Sequence, residues 1–245
     1  MVKNIVRRIF LKLPAPLHRI PSEWDQTELR KKVRKKFTES GSKWRSQPKV
    51  FGIGLSKTGT TSLARALEHL GYESLSWKKD GKVIDWPEFY YADAITDTVC
   101  SAHFESLYHT FEKSRFIYTV RDIESWEQSI KNHFGTHFGV EDPGDFRDLH
   151  TRASFWEKKS GWAFHNSLRA VQIRESLYAQ HDTWREAYLA FDERVSSFFD
   201  EKSSNRILKI GITGGEGWSK LCSFLDCEVP MSPFPHENKS EYKRK

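Results

Sequence analysis

The apolar pattern changes period within one short stretch. Val50-Phe51-Gly52-Ile53 is a short apolar run that reads as a strand. It breaks into the polar turn Gly54-Leu55-Ser56-Lys57-Thr58-Gly59. Beyond Thr60-Thr61-Ser62, the residues Leu63, Ala66, Leu67 and Leu70 recur at helical spacing, up to a helix-ending Gly71. Four later runs read as strands: Tyr72 to Ser76, Ala92 to Thr98 ending at Asp97, Arg115 to Val120, and Ile207 to Ile210. Helical periodicity returns from Ile123 to Ile130, over two or so long helices between Ser154 and Phe199, and from Trp218 to Leu225. Strands alternating with helices predict an α/β domain, a P-loop-like parallel sheet flanked by helices. The helix-rich middle reads as an insertion.

The strand–turn–helix unit is suited to anions. Backbone N–H groups of the turn and the helix N-terminus point at one spot, and the helix dipole favours negative charge there. Thr58, Thr60, Thr61 and Ser62 add hydroxyls, Lys57 a mobile charge, and Gly54 and Gly59 room for close approach. The glycine spacing matches a Walker A loop, but Thr60-Thr61 stands where a nucleotide triphosphatase has Lys-Ser or Lys-Thr. The lysine lies two residues before the second glycine, which suggests another anion geometry and no obligatory magnesium.

Ser56-Lys57-Thr58-Gly59-Thr60-Thr61 resembles the 5′-phosphosulfate loop of sulfotransferases that use 3′-phosphoadenosine 5′-phosphosulfate (PAPS), with Thr58 in place of a serine. The family also carries a strand, an Arg-Asp or Arg-Asn pair, and a serine eight positions after the arginine. Arg121-Asp122 and Ser129 match that pattern. A third segment, Gly217-Trp218 with Leu221-Cys222-Ser223-Phe224-Leu225 and Pro233-Phe234-Pro235, resembles the C-terminal part of a divergent branch of the family. The resemblance covers roughly Lys49 to Glu241. It implies PAPS as co-substrate, with Lys57, Thr58, Gly59, Thr60, Thr61 and Ser62 at the 5′ end and Arg121 and Ser129 on the 3′-phosphate. It implies no metal. The family's C-terminal Arg-Lys-Gly clamp has no counterpart, with Lys239, Lys243 and Arg244 as candidate substitutes.

In open α/β sheets, strand C-termini face the ligand. The resemblance implies a catalytic base after the strand that begins at Ala92, which makes Asp97 the candidate and His103 the reserve, with a cap on the following helix as the structural alternative for Asp97. Trp86, Phe89, Tyr90 and Tyr91 could line a substrate cleft or pack in the core. Gly135 to Gly144 reads as a loop, a lid or acceptor-site wall. His133 and His137 are spaced i, i+4, but no third ligand suits a metal. Trp156, Trp162, Phe164 and the other large apolar residues of the middle helices read as packing.

Charge then divides the chain. Residues 1–47 carry a net +9 and the remainder a net −3, so the basicity belongs to an N-terminal helical arm. A domain of 48–245 follows it. The nearly neutral body gives no sign of a nucleic-acid face. Ile5, Val6, Ile9, Phe10 and Leu13 share one face of a basic amphipathic helix in residues 1–13. That helix is a candidate peripheral membrane contact, and no apolar run is long enough to span a bilayer. Three cysteines without a pattern fit reduced thiols and a cytoplasmic setting. The sequence reading is a sulfotransferase acting on a hydroxyl or amine of a small-molecule, glycan or lipid acceptor. A P-loop kinase or nucleotide triphosphatase, and a non-catalytic protein with the PAPS fold, are the alternatives.

Overall fold

The computed structural model describes residues 48–202 and 205–237, with Lys31 and Lys35 in helical conformation. The basic amphipathic segment 1–13, the rest of the arm, and Lys239, Lys243 and Arg244 lie outside the described residues.

Seven strands form one sheet: β1 (Val50–Ile53), β2 (Ser74–Ser76), β3 (Lys78–Lys79), β4 (Lys82–Val83), β5 (Ala94–Thr96), β6 (Arg115–Thr119) and β7 (Ile207–Ile210). Their order is β4-β3-β2-β5-β1-β6-β7. β2, β5, β1, β6 and β7 run parallel, and β3 and β4 extend one edge antiparallel. The helices are α1 (Thr60–His69), α2 (Trp86–Tyr91), α3 (Thr98–Ser101), α4 (Phe104–Thr110), α5 (Ile123–Phe138), α6 (Leu149–Ser160), α7 (Phe164–Tyr178), α8 (Trp184–Glu201) and α9 (Trp218–Leu225).

Alternation along the central strands feeds two cores, one on each face. Phe116 and Tyr118 of β6 enter a large core with α2 to α5, α7 and α8. Ile117 between them enters a smaller one with Leu63 and Leu67 of α1 and Leu221 and Leu225 of α9. Successive side chains on a strand point to opposite faces, so helices are needed on both. None of the described helices is long and apolar enough to cross a membrane.

Two local expectations are corrected. Gly135 to Gly139 is not loop: α5 runs to Phe138 and ends at Gly139, left-handed at φ 61°. An interior glycine costs about 1 kcal/mol. Burying Phe134 and Phe138 completely returns about 1.5–3 kcal/mol each, so the helix wins. The middle region holds three helices after residue 148, not two, because Gly161 in the left-handed region ends α6 and Thr183 caps a new start at α8. Of the two readings open for the aromatic cluster, core packing holds for Trp86, Phe89 and Tyr91.

Candidate active site

Every parallel strand delivers a residue from its C-terminal end to a single cavity of about 760 Å³. After β1 come Lys57 and Gly59 to Ser62. After β2 comes Trp77, after β5 Asp97, after β6 Arg121, and after β7 Ile212 and Thr213. Parallel strands align their carboxyl ends, so residues distant in sequence converge without long-range design.

The loop between β1 and α1 is held rigidly. Ser56 is buried; its N–H donates to the Tyr178 hydroxyl at 3.0 Å, and its carbonyl accepts from the Trp126 indole at 2.8 Å. The Thr58 hydroxyl is consumed internally, 2.7 Å from both the Leu55 carbonyl and Thr119 Oγ1. Gly54 admits no side chain, since a Cβ there would lie 2.1 Å from Thr119 Oγ1. Gly59, at φ 105°, starts α1 without a side-chain cap, so the first amides of the helix keep no intrahelical acceptor. Lys57 also has a positive φ, 71°. Burial lowers its pKa first and Arg121 second, while Asp97 raises it.

Arg121 donates from Nη1 to the Lys57 carbonyl at 3.2 Å and from Nε to Ser125 Oγ at 3.1 Å. The Tyr188 hydroxyl pins its backbone, donating to the Arg121 carbonyl at 2.7 Å. Asp97 caps α3: Oδ1 accepts from the Thr98 N–H at 2.6 Å, while Oδ2 accepts from the Thr60 hydroxyl at 3.3 Å. Its backbone sits at φ 87°, ψ −179°. That region is essentially reserved for glycine, and a non-glycine residue there costs about 1–3 kcal/mol. The capping role expected as an alternative is therefore real, and it coexists with a place on the cavity wall.

The structure thus gathers Lys57, Gly59, Thr60, Thr61, Ser62, Asp97 and Arg121. Thr58 is absent from the lining because its hydroxyl faces β6. Ser129 is also absent: it is buried on α5, two turns beyond Arg121, and Ser125 is the hydroxyl beside the guanidinium. Ser62 accepts from the Glu237 N–H at 2.9 Å, which brings the C-terminal segment to the cavity mouth. Trp218 anchors that segment, its indole donating to the Ser232 carbonyl at 2.8 Å and its ring 4.8 Å from Phe234. His103 is outside the lining. Its ring stacks beside Trp86, and burial, with Arg169 second, lowers its pKa to about 4.

The lining includes His137 and Phe138, from the stretch expected to wall the acceptor site, and residues that sequence pattern alone assigns to packing or leaves without a role. Trp156 and Trp162 face the cavity, as do Trp77, Phe138, His133, His137 and Arg174. His133 and His137 have ring centroids 4.9 Å apart, and no group of three His, Cys, Asp or Glu suited to a metal occurs among the described residues. Arg174 had a legible signal. Ser167, Ala170, Val171, Leu177 and Tyr178 make the buried stripe of α7, and Arg174 occupies a stripe position where an apolar residue belongs.

The family model described as a sulfotransferase domain matches residues 49–82 and 78–242. "Ava biosynthesis cluster protein M" of Aspergillus versicolor is 25% identical over 221 residues, 77% of this chain and 80% of that protein. The crystal structure of a sulfotransferase from Alicyclobacillus acidocaldarius superposes with a TM-score of 0.42 at 14% identity, over 79% of this chain and 86% of that one. With the family model covering most of the chain, this protein belongs to the sulfotransferase domain family.

Proposed function

We propose that the chain transfers a sulfuryl group from PAPS to a hydroxyl or amine of a small-molecule, glycan or lipid acceptor. One observation carries the reading: the amide-rich start of α1, Lys57, Arg121 and a strained Asp97 converge on one cavity in a chain of this family. In this reading residues 48–245 are the catalytic unit and 1–47 a basic arm.

The roles follow from chemistry. The α1 amides and the Thr60 and Thr61 hydroxyls hold the 5′-phosphosulfate. Lys57 faces the bridging oxygen and offsets the charge that builds there as the S–O bond breaks. Burial and the Arg121 charge weaken its hold on its own proton, so it can donate a short hydrogen bond to that oxygen. Asp97 accepts the acceptor's proton while the acceptor's lone pair forms the new bond to sulfur. The bond electrons leave with 3′,5′-adenosine bisphosphate. Arg121, its guanidinium held between Ser125 and the loop, grips the 3′-phosphate. No step calls for a metal.

The test is calorimetric titration with 3′,5′-adenosine bisphosphate, with AMP and magnesium–ATP as controls. The bisphosphate is expected to bind at micromolar concentration or tighter, and AMP much more weakly. Arg121→Ala should weaken the bisphosphate by about 10- to 100-fold, the worth of a charged hydrogen-bond pair, and leave AMP unchanged. Preference for magnesium–ATP, or equal binding of bisphosphate and AMP, would overturn the reading in favour of a kinase or nucleotide triphosphatase.

A further inference from the structure

The cavity has a second end, built by the helical insertion and the β2–β3 turn. Phe138 and Trp156 stack there with ring centroids 4.2 Å apart and planes 5° from parallel. Trp162 stands edge-on to Trp156 at 6.0 Å. Arg174 enters this end from α7 and is only 5% exposed. Its guanidinium carbon lies 4.0 Å from the ring centroid of Trp77 and 4.5 Å from that of Phe138. Two rings lie against the guanidinium, so its edge is where a hydrogen-bond acceptor would have to sit.

That edge is short of partners. Nη1 donates to the Ala170 carbonyl at 2.7 Å, but Nε is buried with no acceptor. None of the carboxylates among the described residues lies within ion-pair distance of it, although Asp97 is near enough to act on it through space. Burial lowers its pKa only to about 10, so it stays charged. The Trp156 indole N–H is a second buried donor without an acceptor. Buried charges are normally paired and buried donors normally satisfied. Two orphan donors, one of them charged, lie on residues that line the same cavity. A group that only accepts hydrogen bonds would satisfy them. A carboxylate matches the planar fork of arginine in two-point fashion, and flat indole walls suit a planar ring.

We propose that the acceptor is a hydroxylated aromatic acid, with its carboxylate on the edge of Arg174 and its ring beside Trp156 and Trp162. The inference rests on the sulfotransferase reading above and narrows its acceptor. A purely structural Arg174 would stabilise the insertion without distinguishing an acid from a neutral phenol.

The test uses the full chain saturated with 3′,5′-adenosine bisphosphate and titrated calorimetrically with 6-hydroxy-2-naphthoate and with 2-naphthol. The naphthoate is expected to bind tighter by about tenfold or more, as one charged hydrogen-bond pair allows. Arg174→Gln should erase that preference and leave bisphosphate affinity unchanged, and Arg174→Lys should restore part of it. Equal affinity of the wild-type chain for the two probes overturns the proposal, whether or not the Arg174→Gln chain folds. A preference that survives in folded Arg174→Gln overturns it too. Failure of the wild-type chain to bind the bisphosphate overturns the donor site and this proposal together, and is distinct from a failure of acid preference alone.

Discussion

Asp97 combines two demands that conflict. As the cap of α3 it accepts the Thr98 N–H, and as a cavity residue it faces Lys57 and Arg174. Holding both places its backbone where only glycine is at ease. Removing the carboxylate should therefore affect stability differently according to what replaces it. Asp97→Ala loses the cap and keeps the strain, while Asp97→Gly loses the cap and relieves it. The glycine variant is expected to be more stable than the alanine variant by about 1–3 kcal/mol. Both should still bind the bisphosphate, and both should lose turnover by about 100-fold or more. Thermal melts and a sulfuryl-transfer assay on the two chains check this. Equal midpoints would mean that the backbone at Asp97 is not strained. The place of Asp97 at the cavity was legible from the strand end, but the strain was not, because a dihedral angle has no signature in residue type.

At the scale of the element, the β1–loop–α1 unit explains why a short motif carries so much. Its amides are left open by design of the chain: Gly59 supplies no cap, and the surrounding Trp126, Tyr178 and Tyr188 hold the loop and Arg121 from behind. None of those three was identifiable from the motif, since they come from α5, α7 and α8 and meet the loop only in three dimensions. The tightest constraint is Gly54. An alanine Cβ would sit 2.1 Å from Thr119 Oγ1 and 2.7 Å from the Thr119 carbonyl, and backbone cannot move aside as a side chain can. Gly54→Ala should destabilise by about 1–3 kcal/mol or more, lowering the melting midpoint by several degrees for a chain of about this size. It should also weaken bisphosphate binding, because the loop and β6 are forced apart. An unchanged midpoint would show that the loop and β6 part far enough to admit a Cβ at no cost.

At the scale of the molecule, burial of imidazole makes stability depend on pH. His103 lies outside the cavity, and burial, with the Arg169 charge second, lowers its pKa to about 4. The unfolded chain binds that proton near the ordinary value of about 6.5. Between those values the unfolded state holds more protons, so stability is full above about 6.5 and is lost as the pH falls toward 4. His133 behaves likewise, its pKa lowered to about 3 by burial and then by Arg174. Chemical denaturation at pH 7 and pH 5 should show a drop, of which His103 contributes on the order of 2 kcal/mol. His103→Gln should flatten that acid limb by a similar amount. A limb unchanged by the substitution would show that the ring is not held neutral in the fold.

The sequence by itself determined the five parallel strands, the first helix and the last, and the places of the β1–α1 loop, Arg121 and Asp97 at strand ends, because local period, turn residues and strand ends are written in consecutive residues. The short edge strands β3 and β4 and the third middle helix were not legible. It also carried the family, through three motifs in order. Tertiary structure alone decided which hydroxyls are free. Thr58 looked like a donor beside Thr60 and Thr61, yet it spends its hydroxyl on Leu55 and Thr119, because it faces the neighbouring strand. The same holds for the aromatic end. Trp156 and Trp162 have the spacing of packing residues, and nothing in their own neighbourhoods says that the rings meet a cavity. Arg174 is the intermediate case: its place in an apolar stripe was visible in one helix, but its two flanking rings come from α5 and from the turn after β2. Local interactions are encoded locally; a cavity is the space left where distant elements meet, and only packing decides which side chains face it.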